Sequence, residues 1–142
     1  MGTGERTRAE ALRDPEVLAR AQGVFNVVGG AWPLVSRRSF EGIFGPKQDR
    51  WLQQTVAGLL VSAGCTQLRA EPSPAGLLQA RRTGLGTAAT LLAIDLVHVP
   101  RGRIRWTYLL DAALEAAWIT AWLRAGTARR RRSRRACHRR AG

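Results

Sequence analysis

The sequence predicts an all-α fold: a four-helix transmembrane bundle with short loops and a basic, disordered C-terminal tail. Three observations carry that reading. Charge is gathered into blocks, so no charged residue falls in 51–68 or 83–94, and 106–123 holds only Asp111 and Glu115. Proline and cap residues stand where apolar runs begin or stop. Tryptophan and tyrosine gather at the ends of those runs, where rings with one polar edge favour a headgroup layer. The mean hydropathy of −0.18 averages the apolar runs against arginine blocks and so hides the runs.

The first helix is expected over 15–35. Asp14-Pro15-Glu16 places a capping acid before a proline whose missing N–H costs nothing in the first turn. The second spans about 50–69, after Asp49. The third spans about 74–99, opening at Ser73-Pro74 and stopped by Pro100. The fourth spans about 105–124, with Gly126 placed to close it. Residues 1–13 form an N-terminal tail, 14–126 the helical domain and 127–142 an Arg-rich tail. The 37–48 connection mixes Arg37, Arg38, Glu41 and Lys47 with Phe40, Ile43 and Phe44. It reads as a connector resting at an interface, a short helix broken at Gly45-Pro46, or a recognition surface.

Each apolar run is about 15 to 19 residues, at the short end of what spans ~30 Å of hydrocarbon. The fourth helix nevertheless lacks the wide polar face of a soluble helix. It offers one narrow stripe, Thr107, Asp111 and Glu115, suited to a seam inside a bundle. Small residues recur at four-residue spacing: Asn26 and Gly30, Gly58 and Ser62, and Ala113, Ala117 and Ala121. Such rows allow the close helix approach that packing in lipid requires. With the helices alternating through a bilayer, Trp32, Trp51, Trp106 and Tyr108 share one side, and Trp118 and Trp122 approach the other. A soluble all-α domain is the alternative.

Sixteen of the 23 basic residues fall on the side of the two termini and seven on the other. Nine of the sixteen follow residue 123, so the C-terminal segment decides the orientation: both termini cytoplasmic, in a multi-pass inner-membrane protein. A cleaved signal peptide is not expected, because Arg20 and Asn26 interrupt the first apolar run and no small-residue cleavage site follows.

The two cysteines, Cys65 and Cys137, make neither a disulfide scaffold nor a metal module, and His138 beside Cys137 adds too little for a site. No phosphate-binding glycine loop, nucleophile elbow or His-Glu-x-x-His pattern occurs. No cofactor, metal or enzymatic activity is expected.

Gly30-Ala31-Trp32-Pro33-Leu34, Arg38-Ser39-Phe40-Glu41 and Gly45-Pro46-Lys47-x-Asp49-x-Trp51-Leu52 resemble a group of small bacterial membrane proteins, mostly actinobacterial. So do Ala93-Ile94-Asp95, Arg101-Gly102-Arg103-Ile104 and Tyr108-Leu109-Leu110-Asp111-Ala112-Ala113. The resemblance covers residues 15–125 and leaves out both tails. It implies four membrane helices with no assigned activity, and it carries over no catalytic residue.

An ionised acid in hydrocarbon costs ~2.5 to 3.5 kcal/mol, so acids within apolar helices should face the interior, water or a partner. Asn26, Gln54, Asp95, His98, Asp111 and Glu115 are therefore expected as an interior polar cluster. It is either an internal hydrogen-bond network, with Arg101, Arg103 or Arg105 reaching the shallower acids, or a cation- or proton-coupled transport site. The tail residues Arg129, Arg130, Arg131, Arg132, Arg134, Arg135, Arg139 and Arg140 are expected to contact anionic phospholipids. Nucleic acid is the lesser reading of the tail, because no base-reading element accompanies it. The expected function is a structural or interaction component of the cytoplasmic membrane, with a second copy or another membrane protein as partner. The rivals are a small transporter and a soluble basic domain that binds nucleic acid.

Overall fold

The computed structural model describes residues 14–46 and 49–140, with side chains described through residue 126. Five helices follow in order: α1 (Pro15–Val35), α2 (Arg37–Phe44), α3 (Arg50–Leu68), α4 (Pro74–His98) and α5 (Tyr108–Arg140). No strand occurs among the described residues. The all-α expectation holds, and the starts of α1 and α4 follow from their caps. The Asp14 carboxylate accepts from the Glu16 N–H at 2.9 Å, and the Ser73 hydroxyl accepts from the Gly76 N–H at 3.1 Å.

The C-terminal end departs from expectation. Gly126 does not close a helix; α5 continues through it to Arg140, so the tail is helical where disorder was expected. Among the described residues the positive-φ glycines are Gly45 and Gly102, and Gly126 keeps a helical backbone. Ten of the fourteen residues after it in the helix are Arg or Ala, among the best helix formers, and they outweigh about 1 kcal/mol lost at one glycine.

Helices α1 and α3 pack antiparallel with backbones in contact. A Cβ built on Gly30 would lie 2.6 Å from the Ala57 carbonyl oxygen, and one on Gly64 would lie 2.6 Å from that of Gly23. The meeting rows are thus Gly23 and Gly30 against Ala57 and Gly64, spaced by seven. The expected rows are partly wrong. Asn26 and Gly30 do face inward, but Gly58 and Ser62 are exposed, as are Ala113 and Ala117. Adjacent rows on a helix differ by one residue, and spacing alone does not choose between them.

Helix α4 lies against α5, with Ala80, Gly84, Ala88 and Asp95 buried on one and Ala112, Glu115, Trp122 and Ala125 on the other. The two pairs meet around Leu18, Ala19, Ala80, Trp122 and Ala125, a small apolar cluster. Trp122 is fully buried there and does not approach an interface as expected, because its indole N–H has an interior partner.

The 37–48 connection forms α2, which ends at Gly45 (φ 85°). Trp32, Phe40, Phe44 and Tyr108 pack ring against ring, with centroids 4.7 to 6.1 Å apart along the chain of contacts. The Thr107 hydroxyl donates to the Ile43 carbonyl at 2.9 Å, and the Arg105 guanidinium donates to the Gly42 carbonyl at 3.1 Å. Arg105 thus ties α2 to the start of α5, a different role from the expected approach to the interior acids.

Among the described residues, no helix is long and apolar enough to cross a membrane. The transmembrane part of the expected fold therefore has no support from helix hydropathy. Gln22, Asn26, Gln67, Asp95 and Glu115 lower the average of every long helix, and all five are buried.

Candidate polar interior

The interior polar groups form two tiers along the bundle. In the first, the Gln22 side chain joins three helices. Its amide nitrogen donates to the Gly84 carbonyl at 3.1 Å, while its oxygen accepts from the Gln67 amide at 2.9 Å and the Trp122 indole at 2.7 Å. The Gln67 oxygen in turn accepts from the Asn26 amide at 2.8 Å. Four long helices contribute, and Gln22, Asn26, Gln67 and Trp122 are all 0 to 1% exposed. Gly84 is what admits the network. A Cβ there would run into the Gln22 oxygen and come within 2.7 Å of the Gln67 amide and 2.9 Å of the Trp122 indole.

The second tier is acidic. Glu115 is 0% exposed and Asp95 2%. Asp111 is half-buried one turn before Glu115, and Tyr108 is half-buried a further turn toward the start of α5. Asp95 and Asp111 both lie within electrostatic reach of Glu115 and of Tyr108. Neither Glu115 oxygen has a hydrogen-bond partner among the described residues, and neither does Asn26 Oδ1. Among the described residues, no three of His, Cys, Asp and Glu come close enough together to hold a metal ion.

Of the six residues expected in one cluster, Asn26 joins the amide tier and Asp95, Asp111 and Glu115 form the acidic one. His98 is half-buried at the end of α4, three residues beyond Asp95. Gln54 is excluded: it is exposed, and its neighbour Gln53 takes the half-buried position. Helix α3 turns the 53, 57, 64 and 67 row inward, as the backbone contacts of Ala57 and Gly64 require. The side chains of Arg129 to Arg140, expected at anionic lipid, lie outside the described residues.

Gln22, Gln67 and Trp122 were not anticipated. Gln22 carried a signal, standing four residues before Asn26 on the same face of α1. Gln67, three residues before the Ala70-Glu71-Pro72 turn, reads in sequence as a polar helix end. No family model, curated protein or solved structure matches the chain.

Proposed function

We propose that the chain is an integral bundle of the cytoplasmic membrane, acting as a structural or interaction component with both termini on the cytoplasmic side. The observation that carries this is an inverted distribution of polarity. Among the described residues the largest fully buried side chains are Trp122, Leu18, Gln22, Gln67, Glu115 and Asn26, four of them polar. Meanwhile Val28, Leu59, Leu96 and Leu123, one on each of the four long helices, are 52 to 66% exposed. At ~25 cal/mol per Å² of apolar surface, exposing that many large side chains to water is costly, whereas lipid covers them without loss.

The low hydropathy of each helix is compatible with this reading. An average counts Gln22 and Gln67 as though they faced the surroundings, yet both are satisfied inside. Trp51 and Trp106 are exposed at the α2 end of the bundle, where a headgroup layer would meet them. The basic residues beyond 123, on a helix continuing to Arg140, supply the charge expected beside an anionic leaflet. Likeness to the small bacterial membrane proteins rests on the sequence segments alone.

Fractionation tests the reading. The protein should remain with membranes through an alkaline carbonate wash and leave them only in detergent. Recovery in the washed soluble fraction would refute it.

A further inference from the structure

We propose that Glu115 is a proton-binding site which exchanges its proton with one end of the bundle only, the end that carries Tyr108. The inference rests on the packing of the fold and stands whether or not lipid surrounds it.

Glu115 is fully enclosed, and both its oxygens lack hydrogen-bond partners among the described residues. An ionised carboxylate in that position would forgo hydration with nothing in return, and such a group neutralises instead. Among the described residues, the charges that act on Glu115 are those of Asp111 and Asp95, both acids, while Arg81 and Arg82 lie more than three turns before Asp95 on α4. Helix α4 presents Asp95, with His98 one turn beyond it, and α5 presents Asp111 and Tyr108. The ionisable residues of α1 are Glu16 and Arg20 in its first two turns, and those of α3 are Arg50 at its start and Cys65 in its last turn. Glu16 and Arg20 are committed to each other at 2.8 Å. Two acids acting on a third favour a proton held among them. A metal ion is a poor alternative, since among the described residues no three ligating side chains converge.

The route is asymmetric because the two tiers differ in chemistry. From Glu115 toward the start of α5 stand Asp111, one turn away and half-buried, and then Tyr108. Carboxyl and phenol groups both give and accept protons, so this direction can pass one to the bundle end. The other tier is built from Gln22, Asn26, Gln67 and Trp122. Amides and indole hydrogen-bond without changing protonation in the accessible range, so that layer is an insulating floor. Glu115 would take up and release a proton without conducting it through the bundle.

Infrared spectroscopy of the purified full chain tests the first half, because a protonated carboxyl has a carbonyl stretch that a carboxylate lacks. At neutral pH the parent should show this band, and Glu115→Gln should lose it. Labelling all glutamate with carbon-13 should move the same band in the parent, separating it from the aspartates even if the variant does not fold. A parent without a protonated glutamate band at neutral pH would overturn the proposal. For the second half, the parent in vesicles should dissipate a pH gradient no faster than protein-free vesicles. Asp111→Asn should slow deuterium exchange at the Glu115 band several-fold. Steady proton flux in the parent that Glu115→Gln abolishes would overturn the one-sided route, and carboxyl exchange unchanged by Asp111→Asn would remove Asp111 from it. The carbonate wash can fail with these results intact, so the two readings fall separately.

Discussion

Replacing Gln22 with leucine keeps the side chain's volume and removes every hydrogen bond it makes. Three bonds are lost: to the Gly84 carbonyl, the Gln67 amide and the Trp122 indole. Each partner is left in a site that water does not reach, since Gln67 and Trp122 are 1% and 0% exposed. A hydrogen bond between helices in lipid is worth ~0.6 kcal/mol on average, and one in a protein interior ~1 to 1.5 kcal/mol. Three of them sum to about 2 to 4 kcal/mol, offset in part by the gain in apolar burial. The comparison is Gln54→Leu, at an exposed position on α3, expected to change stability by less than ~0.5 kcal/mol. Unfolding of both variants in detergent, followed by helical circular dichroism and tryptophan fluorescence, reads the difference. The fluorescence should also shift, because Trp122 loses its acceptor. Equal midpoints for Gln22→Leu and Gln54→Leu would refute the claim that the amide tier holds the two helix pairs together.

Two glycines on α3 should respond with opposite sign. Gly64→Ala puts a methyl 2.6 Å from the Gly23 carbonyl oxygen and should destabilise by ~1 to 3 kcal/mol as α1 and α3 separate. Gly58→Ala meets no atom within 4 Å and should stabilise by up to ~1 kcal/mol, as helix propensity dictates; matching denaturation curves for the two variants would contradict the packing. Deleting residues 129–142 removes eight of the sixteen basic residues on the terminal side and leaves eight against seven. Reporter fusions should then show mixed orientation, and an unchanged single orientation would mean that the helices themselves set it.

Much of the acidic tier was legible before any coordinates. Asp95, Asp111 and Glu115 interrupt long apolar runs, and the cost of an exposed charge beside lipid or packed side chains sends such groups inward. The amide tier was largely hidden. A glutamine costs less to expose than an acid, so its position in a helix says little about which way it faces. Gln22 and Gln67 turn inward, Gln54 outward, and all three occur in helices of similar composition. The tail misled for a local reason: a glycine followed by charge resembles a helix end, while the Arg and Ala residues favour continuation.

By itself, the sequence determined what short-range chemistry determines. Asp14-Pro15 and Ser73-Pro74 specify helix starts through bonds spanning two or three residues, and Pro100 bars continuation of α4 through the N–H it lacks. Tertiary structure decided which helix face turns inward. That choice depends on contacts between residues 41 to 100 positions apart, such as Asn26 with Gln67 and Gln22 with Trp122. Periodicity leaves neighbouring rows of small residues nearly equivalent on each helix. They become unequal only when Gly23 and Gly30 meet Ala57 and Gly64 backbone to backbone, and Gly84 leaves room for three polar side chains at once.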